Sequence, residues 1–151
     1  MRVYLVIIDE TEEALVALRF AARRAAKTAG AVHVLALVPP QPFNAFAAVQ
    51  ATIEEEARAR VETMATAAAG SLFVELGQMP VISVKQGEDV KVVREYLDGH
   101  PEVAALVLGA AGEGVPGPLV THFAGAVAGQ LPCPVFVVPG SLDDEALDRL
   151  S

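Results

Sequence analysis

The chain has 151 residues, 53% of them hydrophobic, with one cysteine and a formal net charge of −8. That acidity argues against a nucleic-acid partner, whose phosphates favour a basic surface, and the lone Cys133 excludes an intrachain disulfide or a cysteine-based metal cluster. The mean hydropathy of +0.43 is high, yet charged or turn residues break every apolar run before the ~18 residues that a membrane span requires. A parallel sheet buried on both faces and covered by alanine-rich helices accounts for the same composition. One domain suits the length. Met1-Arg2-Val3 runs into a strand without a signal-peptide layout, so a cytoplasmic protein is expected.

Val3 to Ile8 is a β-branched apolar run that stops at Asp9, and reads as a buried first strand. Thr11 is placed to cap the next helix, with Glu12 and Glu13 in its first turn, Arg23, Arg24 and Lys27 near its end, and Gly30 closing it. Asp9 reads equally well as a strand-end capping group or as a ligand contact. Val32 to Val38 is the second strand, ended by Pro39, Pro40 and Pro42. Gln41 to Gln50 is expected to be a loop anchored by Phe43 and Phe46, long enough to close over a strand-end crevice. A second helix is predicted from about Ala51 to Ala69, with Ile53, Ala57, Val61, Met64 and Ala68 on one face and Gly70 as its stop. Ser71 to Met79 either extends that helix or forms an irregular turn.

Val81 to Lys85 reads as the third strand, Asp89 to Leu97 as the third helix, and Val103 to Leu108 as the fourth strand. A loop holding Gly109, Gly112, Gly114 and Gly117 follows, then a helical pattern from Leu119 to Gln130. Strand, glycine loop and helix form an arrangement that presents backbone N–H groups to an anion, although glycine equally serves any tight strand-to-helix turn. Pro134 to Val138 is the fifth strand, and Leu142 to Leu150 a short acidic helix expected to be a mobile tail. Strands alternating with helices mean βαβ units, a mainly parallel sheet, and ligands beyond the strand carboxyl ends.

The landmarks Ile8-Asp9-Glu10-Thr11, Leu37, Gly87, Val107-Leu108-Gly109-Ala110-Ala111-Gly112 and Pro132-Cys133-Pro134-Val135 occur in the order and near the spacing of the universal stress protein family. The chain resembles that family over residues 1–140, with 141–151 as an acidic tail or short helix. The resemblance implies an α/β fold, with an open five-stranded parallel sheet ordered 3-2-1-4-5 and helices on both faces, like the adenine nucleotide alpha hydrolases. It also implies a homodimer through the final strand, a stress-response role, and, in some members, ATP or AMP in the crevice at the ends of strands one and four. Carried over by position, the nucleotide contacts would be Asp9, Thr11, Leu37, Gly109, Gly112, Gly114, Thr121 and His122, with no nucleic-acid or membrane partner.

The chain departs from the family pattern where a glycine-serine pair would hold phosphate: Thr121-His122 stands there. Pro116 and Pro118 remove two N–H donors, Glu113 adds a negative charge, and no Lys or Arg occurs from Val103 to Val138. Thr121 and His122 could still each donate a hydrogen bond. Two other readings stay open: a dimeric scaffold with an empty crevice, and an ATP-hydrolysing or adenylate-forming enzyme. The enzyme reading lacks a cation for charge developing on phosphates. His33 reads as core and His100 as a solvated turn residue; Cys133 reads as a small buried hydrophobe. No Ser-His-Asp, HExxH or paired-carboxylate signature is present.

Overall fold

In the computed structural model, which describes residues 1–151, strand β1 runs from Val3–Ile8 and is buried along its whole length. Strands β2 (Ala31–Val38), β3 (Val81–Gln86), β4 (Val103–Ala110) and β5 (Val135–Pro139) complete one sheet. Every pairing is parallel and the order is β3-β2-β1-β4-β5, as the resemblance implies. Because side chains alternate along a strand, β1 feeds two cores. Tyr4, Val6 and Ile8 pack with helices α1 (Glu12–Thr28), α2 (Ala47–Leu76) and α5 (Asp144–Leu150). Val3, Leu5 and Ile7 pack with α3 (Asp89–Gly99) and α4 (Pro118–Phe123).

Helix α1 begins and ends as its sequence dictates. The Thr11 hydroxyl accepts from the Ala14 N–H, the first turn is acidic, and Lys27 sits in the last turn. The reading of α2 was too short at both ends. Gly70 is not a stop, because a Cβ there would meet nothing within 4 Å: the residue lies on the solvent side of a continuing helix. The stop is Gly77, at φ +71°, whose N–H reaches the Phe73 carbonyl. At the other end Phe43 and Phe46, expected as anchors, are exposed at 89% and 74%. Asn44 organises this turn instead, accepting from the Phe46 N–H while its own N–H donates to Gln50 Oε1.

The helix expected from Leu119 to Gln130 stops at Phe123. Gly125 turns the chain there, in a place where a Cβ would lie 2.4 Å from the Thr121 carbonyl oxygen, and a single 3-10 turn at Ala128–Gln130 leads to β5.

The terminal helix α5 is docked and not loose. Leu147 is fully buried in the α1 core, and Asp143 caps the helix by accepting from the Ala146 N–H. Arg23 pairs with Asp144, Asp148 and Glu75, and Lys27 with the Asp148 carbonyl.

At the opposite end of the sheet from the strand carboxyl ends, His33 of β2 is buried and its Nδ1 lies 3.0 Å from the Tyr96 hydroxyl. His100, expected in solvent, stacks on Tyr96 at 3.8 Å between ring centres, with its Nδ1 2.8 Å from the Tyr96 carbonyl. Burial pushes the His33 imidazole below its ordinary pKa, opposed by nearby Glu102 and reinforced by His100. The unfolded chain therefore binds a proton that the folded chain resists, so His33 costs stability as pH falls below about 6.5, its unfolded value. Thermal unfolding should accordingly move to lower temperature between about pH 7.5 and about pH 5.5, and His33→Gln should flatten that dependence. An unchanged slope in the variant would assign the effect to other groups.

Candidate functional site

A cavity of about 390 Å³ opens where the strand order reverses, beyond the carboxyl ends of β1 to β4. Its floor is apolar, with Ile7, Leu37, Leu108 and Val120. Pro39 and Pro40 form one wall, and Pro116, Gly117, Pro118 and Leu119 another. The first turn of α1 and the turn into α3 supply the rest: Asp9, Glu10, Thr11, Glu13, Ala14, Gly87, Glu88 and Asp89.

Asp9 follows directly from the end of β1. Its Oδ1 accepts from both the N–H and the hydroxyl of Thr11, which locks the carboxylate at the cavity wall. Its second oxygen has no protein partner and can accept from a ligand hydroxyl. Leu37 offers backbone as well as side chain. The Val38 carbonyl turns toward β3 and accepts from the Gly87 N–H at 3.4 Å. The preceding carbonyl, of Leu37, must then turn to the β1 side, where the last pairing is Ile8 with Ala36. It therefore faces the crevice beyond that pairing.

The structure thus brings Asp9, Thr11, Leu37 and Gly109 to one cavity and leaves Gly112, Gly114, Thr121 and His122 outside its lining. The reasons are local. Gly112 lies against Ser141, 3.5 Å from where its Cβ would be, at the foot of α5. Gly114 supplies a left-handed turn at φ +71° in the exposed loop. The Thr121 hydroxyl is spent within its own helix, donating to the Gly117 carbonyl at 3.0 Å. His122 packs edge-on against Phe123. Gly109 lines the cavity, but its own constraint comes from behind: a Cβ would sit 2.1 Å from the Glu13 carbonyl oxygen.

Glu113, expected to oppose a phosphate chain, is exposed and away from the cavity. Five other carboxylates line it, those of Asp9, Glu10, Glu13, Glu88 and Asp89, and no lysine or arginine does. Sequence reasoning missed Glu13, Glu88 and Asp89 as site residues. Their positions just past strand ends were the available signal. The backbone donors of a phosphate cradle are also largely consumed. Pro116 and Pro118 have none, the Ala111 N–H is given to the Pro116 carbonyl, and the Val90 N–H to Asp89. Cys133 lies outside the site, where burial pushes its thiol above the ordinary range, against a smaller opposing backbone bond at Leu106; it is a packing residue.

Residues 1–139 match the family model described as the universal stress protein family, and the chain belongs to that family. Its fold is shared by solved structures of low sequence identity. The universal stress protein UspA from Lactobacillus plantarum is 18% identical, with a TM-score of 0.76 over 91% of this chain and 97% of that one. A universal stress protein in complex with cAMP is 18% identical, with a TM-score of 0.56 over 93% and 98%. An Arabidopsis thaliana family protein with AMP bound is 12% identical, with a TM-score of 0.58 over 92% of each chain. No curated protein matches the chain.

The two landmark glycines should separate on substitution. Gly109→Ala should cost about 1–3 kcal/mol, because the α1 backbone must move. Gly112→Ala meets only ordinary contact and should change stability by about 0.5 kcal/mol or less. Urea unfolding checks both; equal effects would contradict this account of Gly109.

Proposed function

We propose that this protein is a stress-response module that holds the nucleoside half of an adenine nucleotide in the strand-end cavity and works as a homodimer. One observation carries the ligand reading: Asp9, the Leu37 carbonyl and an apolar floor meet in a single cavity that excludes cations. Leu37 offers an acceptor for a base amino group, the free Asp9 oxygen an acceptor for a ribose hydroxyl, and the floor a surface for a flat ring. The cAMP and AMP in the structures of its relatives support the choice of adenine.

The phosphates are the weak end. A 5′-phosphate carries about −2 at neutral pH. Like unit charges about 8 Å apart, at an effective dielectric of about 20, repel by about 2 kcal/mol, which is more than tenfold in affinity. Of the five carboxylates only Glu10 has a cationic partner, Arg60 at 3.3 Å. ATP should therefore bind more weakly than AMP, and AMP more weakly than adenosine.

No lining residue offers a cation, a nucleophile beside a base, or a metal-binding group, so the cavity binds without an evident catalytic constellation. Calorimetric titration should give measurable heat with adenosine below millimolar concentration, weakened at least about tenfold by Asp9→Asn, which removes one charge and one acceptor. Absence of binding by adenosine, or tightest binding by ATP, would overturn the reading.

Dimerisation rests on β5. It is an edge strand, Val137 on it is 41% exposed, and its free backbone groups favour pairing. Light scattering should give twice the chain mass at micromolar concentration, and Val137→Lys should shift it to the single-chain mass. A monomer in the unsubstituted protein would sink this part of the reading and leave the ligand part standing.

A further inference from the structure

The acids of the cavity do more than repel phosphate. Resting on the nucleoside reading above, we infer that the cavity selects an adenosine whose 5′ position carries a positive charge, an ammonium or sulfonium nucleoside. Three observations lead there.

The first is the absence of compensation. Glu13, Glu88 and Asp89 line the cavity and none has an ion-pair partner; the ion pairs of this chain lie elsewhere except at Glu10. Carboxylates left without a cation at the mouth of a low-dielectric cavity create a strong local negative potential.

The second is placement. The carboxylates come from two different elements, the start of α1 and the turn between β3 and α3, and converge on one cavity. They flank Asp9, the residue that would hold the ribose. A substituent leaving the 5′ carbon toward the mouth therefore meets negative charge from either side.

The third is the donor inventory. A group accepting hydrogen bonds finds two prolines and committed N–H groups on the loop wall, whereas a group that donates, or carries a positive charge, finds carboxylate oxygens. A neutral ligand would leave these charges unanswered; a cation answers them. The apolar floor remains available for the base. The class is thus defined by its chemistry: a planar base, a ribose, and one positive charge at the 5′ end.

The test is a charge series on one scaffold: 5′-amino-5′-deoxyadenosine, adenosine and AMP, titrated by calorimetry at low and high salt. The amine should bind at least about tenfold tighter than adenosine, and AMP at least about tenfold weaker. Salt should compress both gaps, since screening shortens the reach of exposed charge. The double substitution Glu88→Gln with Asp89→Asn should bring the amine toward adenosine while leaving adenosine itself nearly unchanged. Its unfolding temperature confirms that the fold is intact, and Glu13→Gln gives the same reading from the α1 side should α3 be disturbed.

If adenosine binds and the amine binds no tighter, the charge inference falls and the nucleoside reading survives. If the amine alone binds, the charge inference stands. If neither binds, both fall.

Discussion

The close approach of α1 to the ends of β4 and β5 is the constraint on which the site depends. Gly109 touches the Glu13 carbonyl from one side, and Gly140, where a Cβ would lie 2.8 Å from the Glu13 Cβ, from the other. Any side chain at either position would push the first turn of α1 outward. The helix meets the approach with small residues of its own: Ala14, Ala17, Ala21, Ala22 and Ala25 are all buried. Only with α1 seated this low does its first turn stand beside the end of β1. Asp9, Thr11 and Glu13 then share a wall with Gly109 and Leu108. A glycine that resembles a phosphate-binding residue in sequence is thus held by packing, and its contribution to the cavity is to set the position of a helix.

The same seating decides the electrostatics. Helix N-termini favour anions through their free N–H groups, and α1 and α3 both begin at the cavity. In this chain the protein supplies its own anions. Asp9 takes the Thr11 N–H, and Asp89 takes the N–H of Val90. Glu13, Glu88 and Glu10 add charge beyond what those donors absorb. An arrangement that elsewhere offers positive potential to a ligand here offers negative potential. The reversal requires no change of fold, only carboxylates in the first turns and prolines in the loop.

The sheet was legible in the sequence because a strand buried on both faces writes itself as an apolar run. Val3 to Ile8 and the fourth strand stand out for this reason, and their breaks fall at Asp9 and near Gly109. The helices were less legible because glycine has two meanings. Gly70 sits on an exposed face and is merely tolerated, while Gly77 and Gly125 end segments through a left-handed cap and a close carbonyl. Hydrophobic spacing alone does not distinguish these cases. The docking of α5 was hidden because its seat is split: one buried leucine, Leu147, and an arginine, Arg23, some 120 positions away in the chain.

The site divides along the same line. Asp9, Thr11 and Leu37 could be named because each is fixed by its place at a strand end, and strand ends are readable. Thr121 and His122 were named by counting along a loop, and loop geometry does not survive the loss or gain of a residue. Once Pro116 accepts from the Ala111 N–H and Gly117 turns into α4 at φ +115°, the segment after Gly112 leads away from the crevice toward Ser141. The half of the cavity governed by the sheet keeps the family geometry, and the half governed by loops and first turns sets its charge. Ligand choice in such a fold is therefore decided where sequence similarity is least informative: in the one or two residues after each strand.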